Sequence, residues 1–415
     1  MMEIVNFKEL DEKEFLKKIE FETISSVNQI ISDVKLNGDN AIKKYCKQFD
    51  NQDLDSFEIT AEEIEQAYQK VDESIIKSFK IAIKNVRTFA KRQLNSLKKL
   101  NTKIYGCKLG HRIIPIEKIG CYIPGGNYPL PSTAIMTIVP AKVAKVDKIF
   151  AFSPKIKNET IVACNLAGAD KIYRIGGVQA IAAMAYGSES IEAVDKIVGP
   201  GNKYVTAAKK QVYGQCGIDF LAGPSEVLII ADNTANPTFV AADMLAQSEH
   251  DIDARAYLIC FSSDFALQVK KEAENILKDL PTKDIAIKSF NKSMCIIVDN
   301  LKEAIYLSDK KAPEHLEICF SNAQNHIDSF RNYGSLFIGN YSAEVFGDYC
   351  SGTNHTLPTN QVARYSGGLS VLDYIKVQTY QNSSKLNARH LSRTASNIAN
   401  IEGLIAHKIA ADLRS

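Results

Sequence analysis

The sequence has no run of about 18 apolar residues, so it contains no candidate for a transmembrane helix. Its formal net charge is only +2, which gives no general attraction for nucleic acid or for a membrane surface. The segment MMEIVNFKELDEKEF is acidic and polar, and we therefore expect no secretory signal in it. These absences predict a cytoplasmic protein that binds neither nucleic acid nor membrane.

Two familiar motifs are also missing. The nine cysteines are scattered and include no CxxC pair, which argues against a disulfide framework or a cysteine zinc site and favours reduced thiols. The chain contains no GxGxxG, the usual dinucleotide fingerprint. Because the chain is nearly neutral overall, an anionic cofactor has to be held by other local groups.

The composition is that of an ordinary globular protein, with 45% hydrophobic and 24% charged residues among 415, enough for two or three domains. From about residue 112, short β-rich runs alternate with helical runs, which predicts parallel α/β layers. The strand-like runs are HRIIPIEKIGCYIP, DKIFAFSP, KIYRIGG, DKIVGPGN and EVLIIAD, followed by RAYLICFSSD, SMCIIVDN, LEICF and GSLFIGN.

This alternation divides the chain into four predicted parts. Residues 1–111 are expected to be mainly helical, because the segment ITAEEIEQAYQKVDESIIKSFKIAIKNVRTFAKRQL has helical apolar spacing without Gly or Pro. Residues 112–235 and 236–375 are predicted as two successive α/β domains that meet at an Asn-Pro pair, and 376–415 as a C-terminal helical segment. The domain edges stay open, since an α/β chain can return late segments to an early domain.

Glycine-rich turns follow several predicted strands. In GCYIPGGNYPLPST, Pro124, Gly125 and Gly126 follow a strand, and Ser132 and Thr133 begin a helix. GGVQAIAA and GPGNKYV repeat this arrangement, and GPSEVLIIAD adds another Gly-Pro turn. Any one of these turns is more often an ordinary βα-loop, but three after successive strands indicate a nucleotide that lies across the sheet edge. The turns alone do not identify a nicotinamide cofactor.

The segment DMLAQSEHD closes a predicted helix and raises the possibility of a metal site. Gln247 and His250 are three residues apart and would share a helix face, whereas Glu249 would point elsewhere. An ordinary polar surface is the more common explanation of such a pair. Together with Asp348 and His407 the two residues offer the nitrogen and oxygen ligands of a zinc ion, but spacing in the sequence does not show that the four meet.

Two further segments carry residues suited to chemistry. APEHLEI places adjacent Glu314 and His315 directly before a strand, and a carboxylate with an imidazole suits proton transfer and water activation. Adjacent side chains diverge, so the two could address opposite sides of one substrate, although a solvated turn explains the pair equally well. GDYCSGTNHTLPT is a polar loop that carries Asp348 and His355, and its composition is typical of a functional loop.

The last predicted helix, from about 392 to 415, has one apolar stripe formed by Ile398, Ile401, Ile405 and Ile409. His407 falls opposite the centre of that stripe, and Glu402 flanks it. If the stripe packs on the body of its own chain, His407 points away from that body. Its imidazole is then either plainly exposed or presented to another surface, including a second subunit.

Eight segments of this chain together resemble histidinol dehydrogenases in order and approximate spacing, from about residue 20 to the C-terminus. They are CYIPGGNYPLPSTAIM, GPGNKYV, DFLAGPSEVLIIAD, DMLAQSEHD, APEHLEI, GDYCSGTNHTLPT, SGGLSVLDY and EGLIAHKIA. The resemblance implies two incomplete Rossmann-like parallel α/β domains, NAD on the first and zinc and catalytic residues on the second. It also implies a helical N-terminal segment and a small C-terminal helical segment that is swapped between the subunits of a homodimer.

The resemblance further implies a zinc-dependent oxidation of L-histidinol to L-histidine through L-histidinaldehyde, with two NAD reduced, as the last step of histidine biosynthesis. One zinc ion per subunit would be ligated by Gln247, His250, Asp348 and, from the partner subunit, His407. Glu314 and His315 would be the catalytic residues. The substrate would contact these zinc ligands, His315, Ser225, His355 and Glu402, and NAD would contact Tyr122, Gln179 and Asn202.

Three alternatives remain beside this expectation. One is an aldehyde-dehydrogenase-type mechanism with a thiohemiacetal on Cys121 or Cys350, both of which lie in notable loops. Another is a non-catalytic protein that binds zinc or imidazole, although binding alone requires neither Glu314 nor His315. A third is a related dehydrogenase that acts on another amino alcohol.

Overall fold

The computed structural model describes residues 2–18, 25–125 and 128–415, so Gly126 of the first glycine turn lies outside the described residues. Two parallel sheets of five and six strands carry helices on their faces, and a three-stranded antiparallel sheet stands beside them. The predicted parallel α/β class is confirmed. Across the described ranges, none of the helices combines the length and the apolar character that a membrane crossing requires.

The N-terminal region contains strands as well as helices, so the prediction of a mainly helical segment 1–111 is only partly correct. Its elements are β1 (Glu3–Asn6), α1 (Glu12–Phe15), α2 (Ser25–Asp50), α3 (Ala61–Lys70), α4 (Glu73–Ser96), β2 (Asn101–Ile104) and β3 (Cys107–Pro115). The long helix predicted from residue 59 is broken before Asp72, whose side chain accepts the Ser74 N–H and begins a new helix. β3 crosses the predicted boundary at residue 111.

The five-stranded sheet has the order β6-β5-β4-β7-β8 and is parallel throughout. Glycine turns after β4, β6 and β7 lead into the N-termini of α5, α7 and α8, so these turns share the carboxyl edge of the sheet. The elements are β4 (Lys118–Tyr122), α5 (Pro131–Ala144), β5 (Lys148–Phe152), α6 (Asn158–Ala167), β6 (Lys171–Tyr173), α7 (Gly177–Tyr186), β7 (Lys196–Val198), α8 (Lys203–Val212) and β8 (Gly217–Ile218).

The six-stranded sheet has the order β1-β11-β10-β9-β12-β13 and is also parallel. Apolar clusters fill both faces of both sheets. The elements are β9 (Glu226–Ala231), α9 (Pro237–Ser248), β10 (Arg255–Cys260), α10 (Ser263–Asp279), α11 (Lys283–Phe290), β11 (Met294–Ile297), α12 (Leu301–Lys311), β12 (His315–Cys319), β13 (Ser335–Ile338) and α13 (Glu344–Tyr349).

The predicted boundary between 235 and 236 is misplaced by one strand. All six residues of β9 are buried, and β9 hydrogen-bonds to β10 on one side and to β12 on the other. The chain therefore passes from the first sheet to the second between β8 and β9, in residues 219–225. β1 also belongs to the six-stranded sheet, beside β11. Both differences arise because sheet membership depends on pairing partners that are distant in the chain.

The C-terminal region begins as a strand rather than as a helix. Its elements are β14 (Ile375–Asn382), α14 (Lys385–Ile401) and α15 (Ile405–Asp412), and β14 pairs antiparallel with β3. The single helix predicted from about 392 is broken at Gly403, whose φ of +72° is left-handed. The four isoleucines of the predicted stripe are 51–85% exposed, so the stripe does not pack on the body of its own chain.

The carboxyl edge of the five-stranded sheet meets the amino edge of the six-stranded sheet. The Thr133 Oγ1 in the first turn of α5 lies 3.5 Å from the His355 Nε2, and the Asn354 Nδ2 donates to the Met136 carbonyl at 2.7 Å. The Gly223 N–H, just before β9, donates to the Thr359 hydroxyl. Opposite ends of the two parallel sheets therefore face each other, and the region between these two edges is called the cleft below.

Candidate functional site

One residue of β9 orients both members of the Glu314–His315 pair. The Glu226 N–H donates to the Glu314 Oε2 at 2.9 Å, and the His315 Nδ1 lies 3.1 Å from the Glu226 carbonyl oxygen. His315 is the first residue of β12 and pairs in register with Val227 of β9, so the strand ladder fixes this arrangement. Glu314 and His315 are only 6% and 4% exposed, which excludes the solvated turn as an explanation of the pair.

The hydrogen bond at Nδ1 selects the tautomer of His315. Because the Glu226 carbonyl can only accept, the Nδ1 carries the hydrogen and the Nε2 of a neutral ring keeps its lone pair. The Nε2 is buried without a hydrogen-bond partner and lies 3.7 Å from the Asp348 Oδ1. In its neutral form, the ring is therefore arranged to accept a proton at Nε2. The Glu314 Oε2 lies 3.8 Å from the Nδ1, so the two side chains are neighbours and do not diverge.

Burial and neighbouring charges shift the pKa values of this pair. Burial raises the pKa of the Glu314 carboxyl to about 8, against the opposing influence of His315. For His315, burial disfavours the charged ring, but the carboxylates of Glu344 and Glu314 outweigh it and raise the pKa well above the ordinary value. Two buried groups with displaced pKa values in a cleft are typical of an acid–base site.

Glu344, which lies in none of the predicted site motifs, belongs to the same cluster. It lies one helical turn before Asp348 on α13, and ligand atoms of Glu344, Asp348 and His315 all lie within 4.8 Å of one another. The Glu344 Oε1 is 3.4 Å from the His315 Nδ1, and its Oε2 is buried without a partner. The four-residue spacing from Asp348 was the one signal in the sequence that could have indicated it.

A second pair of carboxyl groups lies behind Glu344. The Glu317 Oε1 accepts the Glu344 N–H at 3.0 Å, and the carboxyl groups of Glu317 and Asp243 hydrogen-bond to each other. Burial raises the pKa of Asp243 to about 6 and that of Glu317 well above its ordinary value. Two carboxyl groups can bond in this way only by sharing a proton. The sequence carried no signal for this pair, because its members lie on α9 and β12.

The predicted zinc ligands Gln247 and His250 do not share one helix, because α9 ends at Ser248. Glu249 is engaged elsewhere, through a 2.6 Å hydrogen bond from the Thr282 hydroxyl. His250 is exposed to solvent, yet the protein around it lowers the pKa of its imidazole, against the opposing charge of Asp348. His250 and Asp348 therefore lie close enough to interact.

The chemistry of these side chains fits a zinc ion. Gln247 is fully buried, and both polar atoms of its amide lack a hydrogen-bond partner, which is unfavourable unless a ligand satisfies them. Its helix α9 packs against α13, which carries Asp348. Burial opposes the charge of Asp348, but its closeness to His315 and to two other histidines holds its pKa below the ordinary value. Nitrogen and oxygen donors of this kind suit zinc.

His355 and Ser225 complete the described surroundings of the cluster. The His355 Nδ1 lies 2.6 Å from the Asp348 carbonyl oxygen, so the polar loop folds back onto the end of α13. That predicted loop begins inside a helix, since α13 extends to Tyr349. Ser225 directly precedes β9, and its carbonyl accepts the backbone N–H of Arg255 at 3.1 Å. Both residues stand at the amino edge of the six-stranded sheet, as does the Glu314–His315 pair.

Glu402 and His407 are not brought to this cluster within one chain. Glu402 ends α14, His407 lies in α15, and both are exposed. The exposed isoleucine stripe runs along the same two helices. The predicted origin of these two residues in a partner subunit is therefore not contradicted by the single chain, and it stays a prediction.

The predicted cofactor residues lie at the carboxyl edge of the five-stranded sheet. The Tyr122 hydroxyl, at the end of β4, accepts the Gly177 N–H at 3.1 Å. Gln179, in the first turn of α7, is 1% exposed, and neither polar atom of its amide has a hydrogen-bond partner. The Asn202 Oδ1 caps α8 by accepting the N–H groups of its first turn at 3.0 and 3.1 Å. Three glycine turns with an unsatisfied buried amide fit a dinucleotide.

The two thiols considered as alternatives differ in environment. Cys121 is fully buried within β4, and burial raises the pKa of its thiol to about 12, so it does not form a thiolate at neutral pH. Cys350 is exposed one residue beyond α13. The described cluster provides an imidazole and a carboxyl group, and no described hydrogen bond joins either thiol to Glu314 or His315.

Comparisons with known proteins identify the family. A sequence model described as histidinol dehydrogenase matches residues 16–415. The histidinol dehydrogenase of Methanocaldococcus jannaschii is 44% identical over 98% of this chain and 97% of its own, and that of Clostridium acetobutylicum is 43% identical over 95% and 93%. A crystal structure of histidinol dehydrogenase from Elizabethkingia anophelis superposes with a TM-score of 0.94 at 37% identity, over 100% of this chain and 98% of that one. This chain belongs to the histidinol dehydrogenase family.

Proposed function

We propose that this protein oxidises L-histidinol to L-histidine through L-histidinaldehyde, with zinc in its active site and with reduction of two NAD per turnover. The proposal rests above all on the way in which Glu226 orients both Glu314 and His315 and leaves the His315 Nε2 free beside Asp348. The reaction would be the last step of histidine biosynthesis and would take place in the cytoplasm.

In the first oxidation, the His315 Nε2 accepts the proton of the substrate hydroxyl while a hydride leaves the carbinol carbon. In the neutral ring, the hydrogen bond from the Nδ1 to the Glu226 carbonyl keeps the Nε2 available for that proton. The Glu344 Oε1 lies beside the charge that develops on the ring, 3.4 Å from the Nδ1. NAD, when bound, accepts the hydride in each oxidation, and Tyr122, Gln179 and Asn202 are the residues proposed to hold it.

In the second oxidation, Glu314 takes a proton from a water molecule that adds to the aldehyde, while His315 returns its proton to the aldehyde oxygen. The neutral His315 then accepts a proton from the hydrate as the second hydride leaves. The raised pKa of Glu314, about 8, makes its carboxylate a stronger base than an exposed one. The thiohemiacetal alternative loses support, because hydration needs no thiol and the Cys121 thiol is buried and protonated. Zinc, when bound by Gln247, His250, Asp348 and the partner's His407, supplies a template for the substrate nitrogens.

We further propose a homodimer in which Glu402 and His407 of one subunit complete the active site of the other. The exposed apolar stripe on α14 and α15 supports this arrangement, because a row of half-exposed isoleucines is stabilised when a second protein surface covers it. Ser225 and His355 would contact the substrate from the subunit that carries His315.

The proposed function is tested by measuring NADH formation by the purified protein with L-histidinol, with zinc and after chelation. We expect two NADH per histidinol, lost on chelation and restored by zinc. A folded, zinc-loaded protein that forms no NADH would contradict the substrate, and other amino alcohols would then be screened.

The shared site is tested by mixing two inactive variants, His315→Asn and His407→Asn. In a heterodimer, the intact His315 of one subunit meets the intact tail of the other, so one of the two sites is complete. Random exchange of subunits should restore about a quarter of the wild-type activity. Mixtures that remain inactive, although mixed dimers are detected by mass spectrometry, would show that each chain completes its own site.

A further inference from the structure

A buried ion pair lies beneath the glycine turn that follows β7. Lys209 belongs to α8 and Asp219 directly follows β8, and their side chains are only 3% and 0% exposed. Neither residue takes part in the proposed chemistry. Buried ion pairs are weak stabilisers, because desolvation of the two charges offsets most of their attraction. Stability alone therefore does not explain why Lys209 and Asp219 are buried at this position.

Both charged side chains hydrogen-bond to the backbone of Gly199. The Asp219 Oδ2 accepts the Gly199 N–H at 2.7 Å, and the Lys209 ammonium donates to the Gly199 carbonyl at 2.9 Å. The Asp219 Oδ1 accepts the Phe220 N–H at 2.7 Å as well as a hydrogen bond from Lys209. The ion pair thus holds the donor and the acceptor of Gly199 together.

Gly199 also lies at the contact between the ends of β4 and β7. Its φ of +114° is a conformation that side chains other than hydrogen rarely allow, and a Cβ at this position would stand 2.1 Å from the Tyr122 carbonyl oxygen. Tyr122 ends β4 and Asn202 begins α8, so Gly199 separates two residues assigned to the cofactor. A small rotation of the Gly199 peptide would change the spacing between them.

We propose that the Lys209–Asp219 pair is a positioning pair for the cofactor, which fixes the Gly199 peptide so that the 199–202 turn and Tyr122 fit a dinucleotide. This inference rests on the proposed function, since it takes NAD as the ligand of the carboxyl edge. Lys209 and Asp219 act through the turn and do not touch the cofactor themselves.

Asp219→Asn is the sharpest variant, because it keeps the shape of the side chain and removes one acceptor. The carboxylate uses both oxygens, whereas the amide has only one, so either the Gly199 N–H or the Phe220 N–H and Lys209 lose their partner. NADH binding is measured by the fluorescence of NADH itself, without histidinol. We expect at least about tenfold weaker binding, equivalent to ~1.4 kcal/mol.

The same variant should show a split in its kinetics. KM for NAD should rise in parallel with the Kd for NADH, kcat at saturating NAD should stay within about threefold, and zinc content should be unchanged. Lys148→Met, which breaks an exposed ion pair with Glu192 on the same sheet, is the matched control and should leave NADH binding as in the wild type. If Asp219→Asn does not fold, the double variant Asp219→Asn/Lys209→Met removes both charges together and leaves none unpaired.

The possible results separate this inference from the proposed function. Wild-type protein that binds no NADH would overturn the proposed cofactor and, with it, the role of the pair. Wild-type binding together with unchanged NADH affinity in a folded Asp219→Asn or double variant would overturn the role of the pair alone. A lowered kcat with unchanged NADH affinity would do the same, because it would place the effect at the other side of the cleft.

Discussion

The two parallel sheets present opposite edges to the same cleft. At the carboxyl edge of the five-stranded sheet, the chain leaves β4, β6 and β7 through glycine turns and enters the N-termini of α5, α7 and α8. At the amino edge of the six-stranded sheet, the chain arrives from the C-termini of α9 and α12. Helix N-termini offer N–H groups and partial positive charge, whereas helix C-termini offer carbonyl groups and partial negative charge.

The side chains at the two sheet edges also differ in their charge. The carboxyl edge is lined by glycine backbone and by neutral groups such as Gln179 and Asn202, which suit an anionic ligand held by backbone donors. The amino edge carries a cluster of buried ionisable groups that includes Glu314, His315 and Glu344, whereas the buried Lys209–Asp219 pair of the carboxyl edge lies beneath its turn. Parallel sheets of one chain can therefore serve opposite electrostatic purposes, according to which end of the strands faces the ligand.

His315→Asn should have the largest effect and should be confined to the amino edge. Loss of the base is expected to lower kcat for both oxidations by about 10²–10⁴-fold, because general base catalysis contributes on that scale. Zinc content and NADH affinity should stay unchanged, as measured by metal analysis and NADH fluorescence. Turnover within a few-fold of wild type would remove His315 from the mechanism.

Zinc removal should likewise impair the amino edge and leave NADH binding at the carboxyl edge intact. Chelation is expected to reduce histidinol oxidation by at least about 100-fold, because the metal would template the substrate, while NADH still binds at the other edge. The measurement is NADH fluorescence and steady-state turnover on one chelated sample. Parallel loss of NADH affinity would show that the two edges are not independent.

Glu314→Gln should slow the second oxidation more than the first. The neutral amide keeps the hydrogen bond to the Glu226 N–H but cannot activate water, so the second oxidation should slow by about 10–100-fold and the first by less. Single-turnover measurements of the two NADH resolve the steps. Equal slowing of both would mean that Glu314 acts by orienting His315.

Gln179→Ala should produce the corresponding but smaller effect at the carboxyl edge. Without the buried Gln179 amide, the bound cofactor would lose its hydrogen bonds to that group, which should weaken NADH binding by about 5–10-fold. Zinc content and the affinity for histidinol, measured by calorimetry, should not change. Unaltered NADH affinity would place the dinucleotide away from α7.

Cys350→Ala should have the smallest effect. The thiol is exposed and takes no part in the hydrogen-bonded cluster at the amino edge, so activity should change by less than about twofold. Loss of the second oxidation with retention of the first would instead restore the thiohemiacetal mechanism. Steady-state NADH stoichiometry distinguishes these results.

Much of the fold could be predicted from local patterns. The alternation of apolar β-rich runs and helical runs predicts β4 to β7, β9 to β13 and several of the helices between them, but not the short strand β8, since side-chain periodicity depends on a few neighbouring residues. Glycine after a strand likewise predicts the turns at Gly176 and Gly199, because only local backbone geometry is involved. The break at Gly403 was missed, since an apolar stripe continues across it.

The candidate site was predictable only in part. Glu314 and His315 stand together in the sequence, whereas Asp243, Glu317 and Glu344 approach one another only through the packing of α9, β12 and α13. Sheet membership was likewise not predictable from local sequence, because β1 and β9 pair with strands that are distant in the chain. Residues that are ordinary in sequence become functional candidates when they are buried beside a charge.

The sequence by itself determined the class of fold, the glycine turns and the adjacency of Glu314 and His315, because each depends on residues close together in the chain. The tertiary structure decided which strand ends meet at the cleft, which His315 nitrogen is free, and which carboxylates surround it. The physical reason is that the tautomer and the charge state of a buried group are determined by the groups packed against it, whatever their separation along the chain.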